Sequence, residues 1–77
     1  MNKDRRKKIR PVADDLLERA LLILNQAKDE EEEALFNLPE NLEDSEKYKL
    51  MENAIEYLED AIECIEEAQE NIRAAIE

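Results

Sequence analysis

The fold of this chain is decided by one stretch, residues 51–77, which reads MENAIEYLEDAIECIEEAQENIRAAIE. Apolar side chains recur in it at steps of three and four residues, as in a helix that packs against another helix. In heptad notation, position a holds Tyr48, Ile55, Ile62, Gln69 and Ile76, position d holds Met51, Leu58, Ile65 and Ile72, and position g holds Ala54, Ala61, Ala68 and Ala75. The pattern predicts a coiled-coil-like second helix over residues 46–77.

A first helix precedes this one. Pro11 suits the first position of a helix, and Pro39 forces the residue before it out of helical geometry. We therefore predict a basic head at residues 1–10, a first helix at 11–37 and a connection at 38–45, in which Ser45 caps the second helix. A frayed or kinked extension of the first helix through the basic head is the alternative. The whole forms a single domain.

Two long helices joined by a short connection form an antiparallel hairpin. We expect the first helix to pack on the second through Ala13, Leu16, Ala20, Ile23 and Ala27. Its apolar residues cover a wider arc than one partner helix can bury, which indicates a second partner. The predicted fold class is all-α: a two-helix hairpin that forms a four-helix bundle as a homodimer. The residues expected at interfaces with a second copy or another partner are Leu17, Leu21, Leu22, Leu24, Phe36, Leu42, Ala54, Tyr57, Ala61 and Ala68.

The composition argues against an enzyme. The 77 residues include no histidine and no glycine, which removes imidazole bases, His-containing metal sites and glycine-rich phosphate loops. Glutamates at outward positions resemble a di-iron ladder only superficially, since such bundles pair Glu-x-x-His motifs facing inward. We predict no catalytic residue, no cofactor and no metal site.

Charge is unevenly distributed along the chain. The net charge is −11; residues 1–10 sum to +5 and residues 11–77 to −16. The acidic body disfavours binding to nucleic acid, although the basic head leaves a small DNA-associated regulator as a third hypothesis. No apolar run approaches the roughly 20 residues of a membrane span. The lone Cys64 has no internal disulfide partner, and we expect a cytoplasmic protein with no membrane partner.

Three segments carry a family resemblance. They are residues 2–9 (NKDRRKKI), residues 29–42 (DEEEEALFNLPENL) followed by Ser45 and Glu46, and residues 51–56 (MENAIE). With them the chain resembles short, acidic, uncharacterised helical proteins of phages and mobile elements of Gram-positive bacteria. The resemblance implies a biological setting and no mechanism.

Two functions from different classes fit these observations. The first is a non-enzymatic, homo-oligomeric module for protein–protein interaction. The second is an acidic inhibitor that mimics nucleic acid and blocks a host DNA-binding or defence protein. The carboxylates that would form the mimicking face are Glu56, Glu59, Glu63, Glu66 and Glu70. An ordinary soluble coiled coil also places glutamates at these positions.

The heptad register predicts different effects for two leucine substitutions. Ala61→Leu enlarges a side chain at the seam, where overpacking costs about 1–3 kcal/mol, whereas Glu63→Leu alters an outward position. We expect a clearly lower melting temperature for the first variant. Equal melting temperatures would show that the register is wrong.

Overall fold

The computed structural model describes residues 1–42 and 45–77, and within them every regular element is helical. An α-helix, α1 (Lys3–Pro11), runs into a π-helical turn (Val12–Leu16) and then into α2 (Leu17–Phe36). These three form one continuous first helix of 34 residues. A short 3-10 turn (Glu40–Leu42) precedes α3 (Glu46–Ile76), and α3 packs along α2, the π turn and α1. The predicted all-helical hairpin is confirmed; residues 43 and 44 of its connection lie outside the described residues.

The first helix begins earlier than the sequence predicts. It starts at Lys3 rather than at Pro11, because the Asn2 side chain caps it and accepts a hydrogen bond from the Arg5 backbone N–H at 2.9 Å. The basic head is thus helical, and Pro11 lies inside the helix. Asparagine is a favoured N-cap residue, so Asn2 marked this start in the sequence.

The π turn directly follows Pro11 in the chain and leaves one carbonyl that accepts a hydrogen bond from α3. Pro11 has no N–H to continue the i→i−4 ladder, and past it the Leu17 N–H bonds to the Val12 carbonyl, five residues back. Where the backbone hydrogen bonds return to the i→i−4 pattern, the Ala13 carbonyl is left without a backbone N–H donor. The buried Gln69 side chain of α3 donates to this carbonyl at 3.0 Å, and the same Nε2 donates to the Glu18 carboxylate at 2.8 Å.

The inward face of the first helix differs from the predicted one. In an α-helix, a residue four positions further along points about 40° further around the axis. The wider π turn reduces this rotation. Ala13, Leu17, Leu21 and Leu24 consequently face α3, where Ala13 and Leu21 are buried. The prediction was wrong for Leu16 and Ile23, whose exposed fractions are 57% and 66%.

The heptad register of α3 agrees with its burial. Ile62, Gln69 and Ile76 at position a are buried, position d is half-buried, and the glutamates at b and e are exposed. Ser45 caps α3 as predicted, since its hydroxyl accepts from the Tyr48 N–H at 3.2 Å.

The core of the hairpin is thin. Its buried apolar residues are Ala13, Leu21, Ile62 and Ile76, and no large side chain is fully buried in the described part of the chain. The Cα radius of gyration is 17.4 Å, whereas a compact chain of this length has about 11.5 Å. Two helices side by side expose most of their surface to solvent.

Gln69 offers a test of this packing. Gln69→Glu keeps the side-chain size but removes the N–H donor, so that the Ala13 carbonyl loses its partner and a second carboxylate approaches Glu18. We expect urea unfolding to show a loss of at least about 1–3 kcal/mol. The control is Glu70→Gln, the reverse change at the next, exposed residue, which we expect to shift stability by less than about 0.5 kcal/mol. Equal stability of the two variants would contradict the assigned hydrogen bond.

Candidate interaction surfaces

The hairpin has two long sides of different chemistry. Arg73, at position e of α3, pairs with Asp14 on one of these sides, with 3.3 Å between Nη2 and Oδ1. Position e therefore lies on that side. Glu18 lies on this side too. Because helical residues step by about 100°, Leu16 and Ile23 fall on the opposite flank of the first helix. In an antiparallel pair that flank faces the same way as positions d, g and c of α3.

We call this second side the apolar face. It consists of Leu16, Ala20, Ile23 and Ala27 of the first helix and Ala54, Tyr57, Ala61 and Ala68 of α3. Tyr57 is 74% exposed, and the alanines are half-buried between the larger side chains. The alanines allow another helix to approach closely, while the half-buried d residues beneath them add apolar surface. The face therefore has the chemistry of a helix-packing surface.

The predicted interface residues fall into three groups. Leu17, Leu21 and Leu24 pack inside the hairpin. Ala54, Tyr57, Ala61 and Ala68 lie on the apolar face. Leu22 and Phe36 are exposed elsewhere, by 69% and 87%, and Leu42 is half-buried in the 3-10 turn.

Sequence reasoning missed three large apolar side chains that the helices expose: Leu16, Ile23 and Leu50. Leu50 shares heptad position c with Tyr57 and Cys64, and this shared position was the available signal. For Leu16 and Ile23 the apolar arc of the first helix was too broad to show which residues turn inward.

The other long side is acidic. Glu56, Glu59, Glu63, Glu66 and Glu70 are all exposed along α3. Among the described residues, none of the five lies within 4.0 Å of a cationic nitrogen; the ion pairs present join Arg19 to Asp15, Lys28 to Glu32 and Arg73 to Asp14. The row thus presents carboxylates at one- and two-turn spacing to solvent.

The described residues bring together no group of three His, Cys, Asp or Glu side chains that could hold a metal ion. None of the helices described is long and apolar enough to cross a membrane. In α1, Lys3, Arg6, Lys7 and Arg10 line a shallow groove beside Pro11. Cys64 is a free, exposed thiol at the edge of the apolar face.

Comparisons with protein-family models, with curated proteins and with solved structures each return no match. The two long sides of the hairpin are therefore the features that bear on its function.

Proposed function

We propose that this protein is a non-enzymatic, homo-oligomeric helical module for protein–protein interaction. Two copies associate through the apolar face into a four-helix bundle, and the assembled bundle binds another protein. The observation that supports this most is the apolar face itself, with Leu16, Ile23 and Tyr57 each more than half exposed along one side of a hairpin that has a thin core.

The surface area supports the same proposal. The hairpin exposes 6141 Å², whereas a folded monomer of 9.0 kDa ordinarily exposes about 4,900 Å². The excess is about 1,200 Å², and a standard protein interface removes roughly 800 Å² from each partner. Pairing of two copies would thus remove about two thirds of this excess. It would also double the number of helices around the half-buried d positions.

A dimer formed in this way leaves surfaces for a different protein. Leu22 lies on the outer side of the first helix and Phe36 at its end, both away from the apolar face. Exposed apolar and aromatic side chains of this kind are common anchors at interfaces. The proposal includes a cytoplasmic location, where a lone thiol stays reduced, and the phage or mobile-element setting that the family resemblance implies.

Mimicry of nucleic acid is the alternative function. It is favoured by the row of five exposed glutamates that have no cationic partner among the described residues. Such a protein would occupy a basic cleft and compete with DNA for it. The same row also keeps an ordinary helical bundle soluble, so we place the interaction module first.

Two neighbouring residues test self-association. Ile23 and Leu22 are almost equally exposed, but only Ile23 lies on the apolar face. We expect the native protein to be a dimer or larger at micromolar concentration, Ile23→Asp to shift it to a monomer of about 9 kDa, and Leu22→Asp to leave it associated. Sizing with light scattering over a concentration series, with circular dichroism to confirm helicity, provides the measurement. A native protein that is monomeric throughout would refute the proposal.

The two functions make opposite predictions for partner binding. The probe is a partner captured from host lysate on the tagged protein. An interaction module should keep this partner as salt rises and should lose it in Leu22→Asp or Phe36→Ala. A nucleic-acid mimic should release it at moderate salt, compete with DNA for it and lose it when the five glutamates are changed to lysine. Binding that ignores both salt and the glutamate changes would eliminate mimicry.

A further inference from the structure

The two ends of the hairpin carry very different charge. Gln69 reaches Ala13 and Arg73 reaches Asp14, so the middle of the hairpin lies near Leu21 in the first helix and Ala61 in α3. The half with the chain termini, residues 1–20 and 62–77, contains 8 basic and 9 acidic residues. The half with the connection, residues 21–61, contains 3 basic and 13 acidic residues. The net charges are therefore −1 and −10.

We infer that the second copy packs antiparallel on the apolar face, with the chain termini of the two copies at opposite ends of the bundle. This inference rests on the proposed homodimer and defines its partner geometry. In the antiparallel arrangement each −10 half lies beside a −1 half. In a parallel arrangement the two −10 halves lie side by side, and like charges repel across the full length of the connection end.

Local charges agree with the overall asymmetry. In a face-to-face antiparallel pair, the first helix of one copy runs along the first helix of the other. The helical steps place Arg5 and Lys8 of α1 on the side of the apolar face, and Glu30 and Glu31 of α2 on that same side. Antiparallel pairing about Leu21 brings Lys8 to within about one helical turn of Glu31 of the other copy, and Arg5 to within about two turns of Glu30. Exposed ion pairs are individually weak, but here the two-fold symmetry repeats them.

Distances between spin labels decide the geometry. The hairpin is 59 Å long, so labels near one end are far apart in an antiparallel dimer and close in a parallel one. The variants are Lys3→Cys at one end and Asn41→Cys at the other, both exposed and both in a Cys64→Ser background. We expect pulsed electron paramagnetic resonance to give label separations of about 50 Å for each variant. A parallel bundle, two helix diameters across, gives no more than about 30 Å for both.

Every outcome of this measurement is informative. Long separations at both ends support the antiparallel dimer. Short separations at both ends refute the inference and leave the proposed homodimer intact. The homodimer itself is refuted if neither labelled variant gives a discrete distance and adding Ile23→Asp at the same concentration leaves the signal unchanged.

Charge exchange provides a second, independent test. Arg5→Glu with Lys8→Glu should weaken the dimer about tenfold at low salt, and adding Glu30→Lys with Glu31→Lys in the same chain should restore it. The matched control is Lys3→Glu with Lys7→Glu, which changes the net charge equally on the other side of α1. Equal weakening by the control pair, or no restoration by the exchange, would contradict the stated contact.

Discussion

The hydrogen bond from the Gln69 side chain to the Ala13 carbonyl sets the register between the two helices of the hairpin. The repeat in α3 is nearly periodic, so a slip of one heptad would still place isoleucine against leucine. A slipped hairpin would, however, bury the Gln69 amide without its acceptor and leave the orphan carbonyl of the π turn unpaired. Each such loss costs more than an apolar contact gains, because buried polar groups must be paired. A single polar residue in a seam can thereby set the register of the whole pair.

The same hydrogen bond joins a local feature to the global fold. The π turn follows Pro11 in the first helix, and the Ala13 carbonyl within this turn accepts from the neighbouring helix. Asp14 and Arg73 add an ion pair one turn away, so the acidic side of the hairpin is anchored close to its chain termini. The widened turn also keeps Ala13 in line with Leu17 and Leu21, which extends the packed face into the basic head.

The two-helix hairpin leaves several large apolar side chains exposed, among them Leu16, Ile23 and Tyr57. Small single cores supply only a few kcal/mol, and here the residues at position d are covered on one side only. The chain places alanines beside that incomplete seam and glutamates on the opposite side. This division leaves one long side apolar, and the two ends of the hairpin differ in charge. In the proposed homodimer, the apolar face serves association and the charge asymmetry sets its direction.

The helical class, the hairpin, the register of α3 and the cap at Ser45 can be predicted from the sequence, because they depend on short-range periodicity and on residues with strong local preferences. The sequence leaves open whether the basic head is helical, because Pro11 favours a helix start at residue 11 while Asn2 is a favoured N-cap for a helix that starts at residue 3. It also could not choose between Leu16 and Ile23 on one side and Leu17, Leu21 and Leu24 on the other as the inward face of the first helix. That choice was made by the tertiary structure, because the rotation of the first helix depends on a π turn whose free carbonyl is paired by Gln69, 56 residues further along the chain.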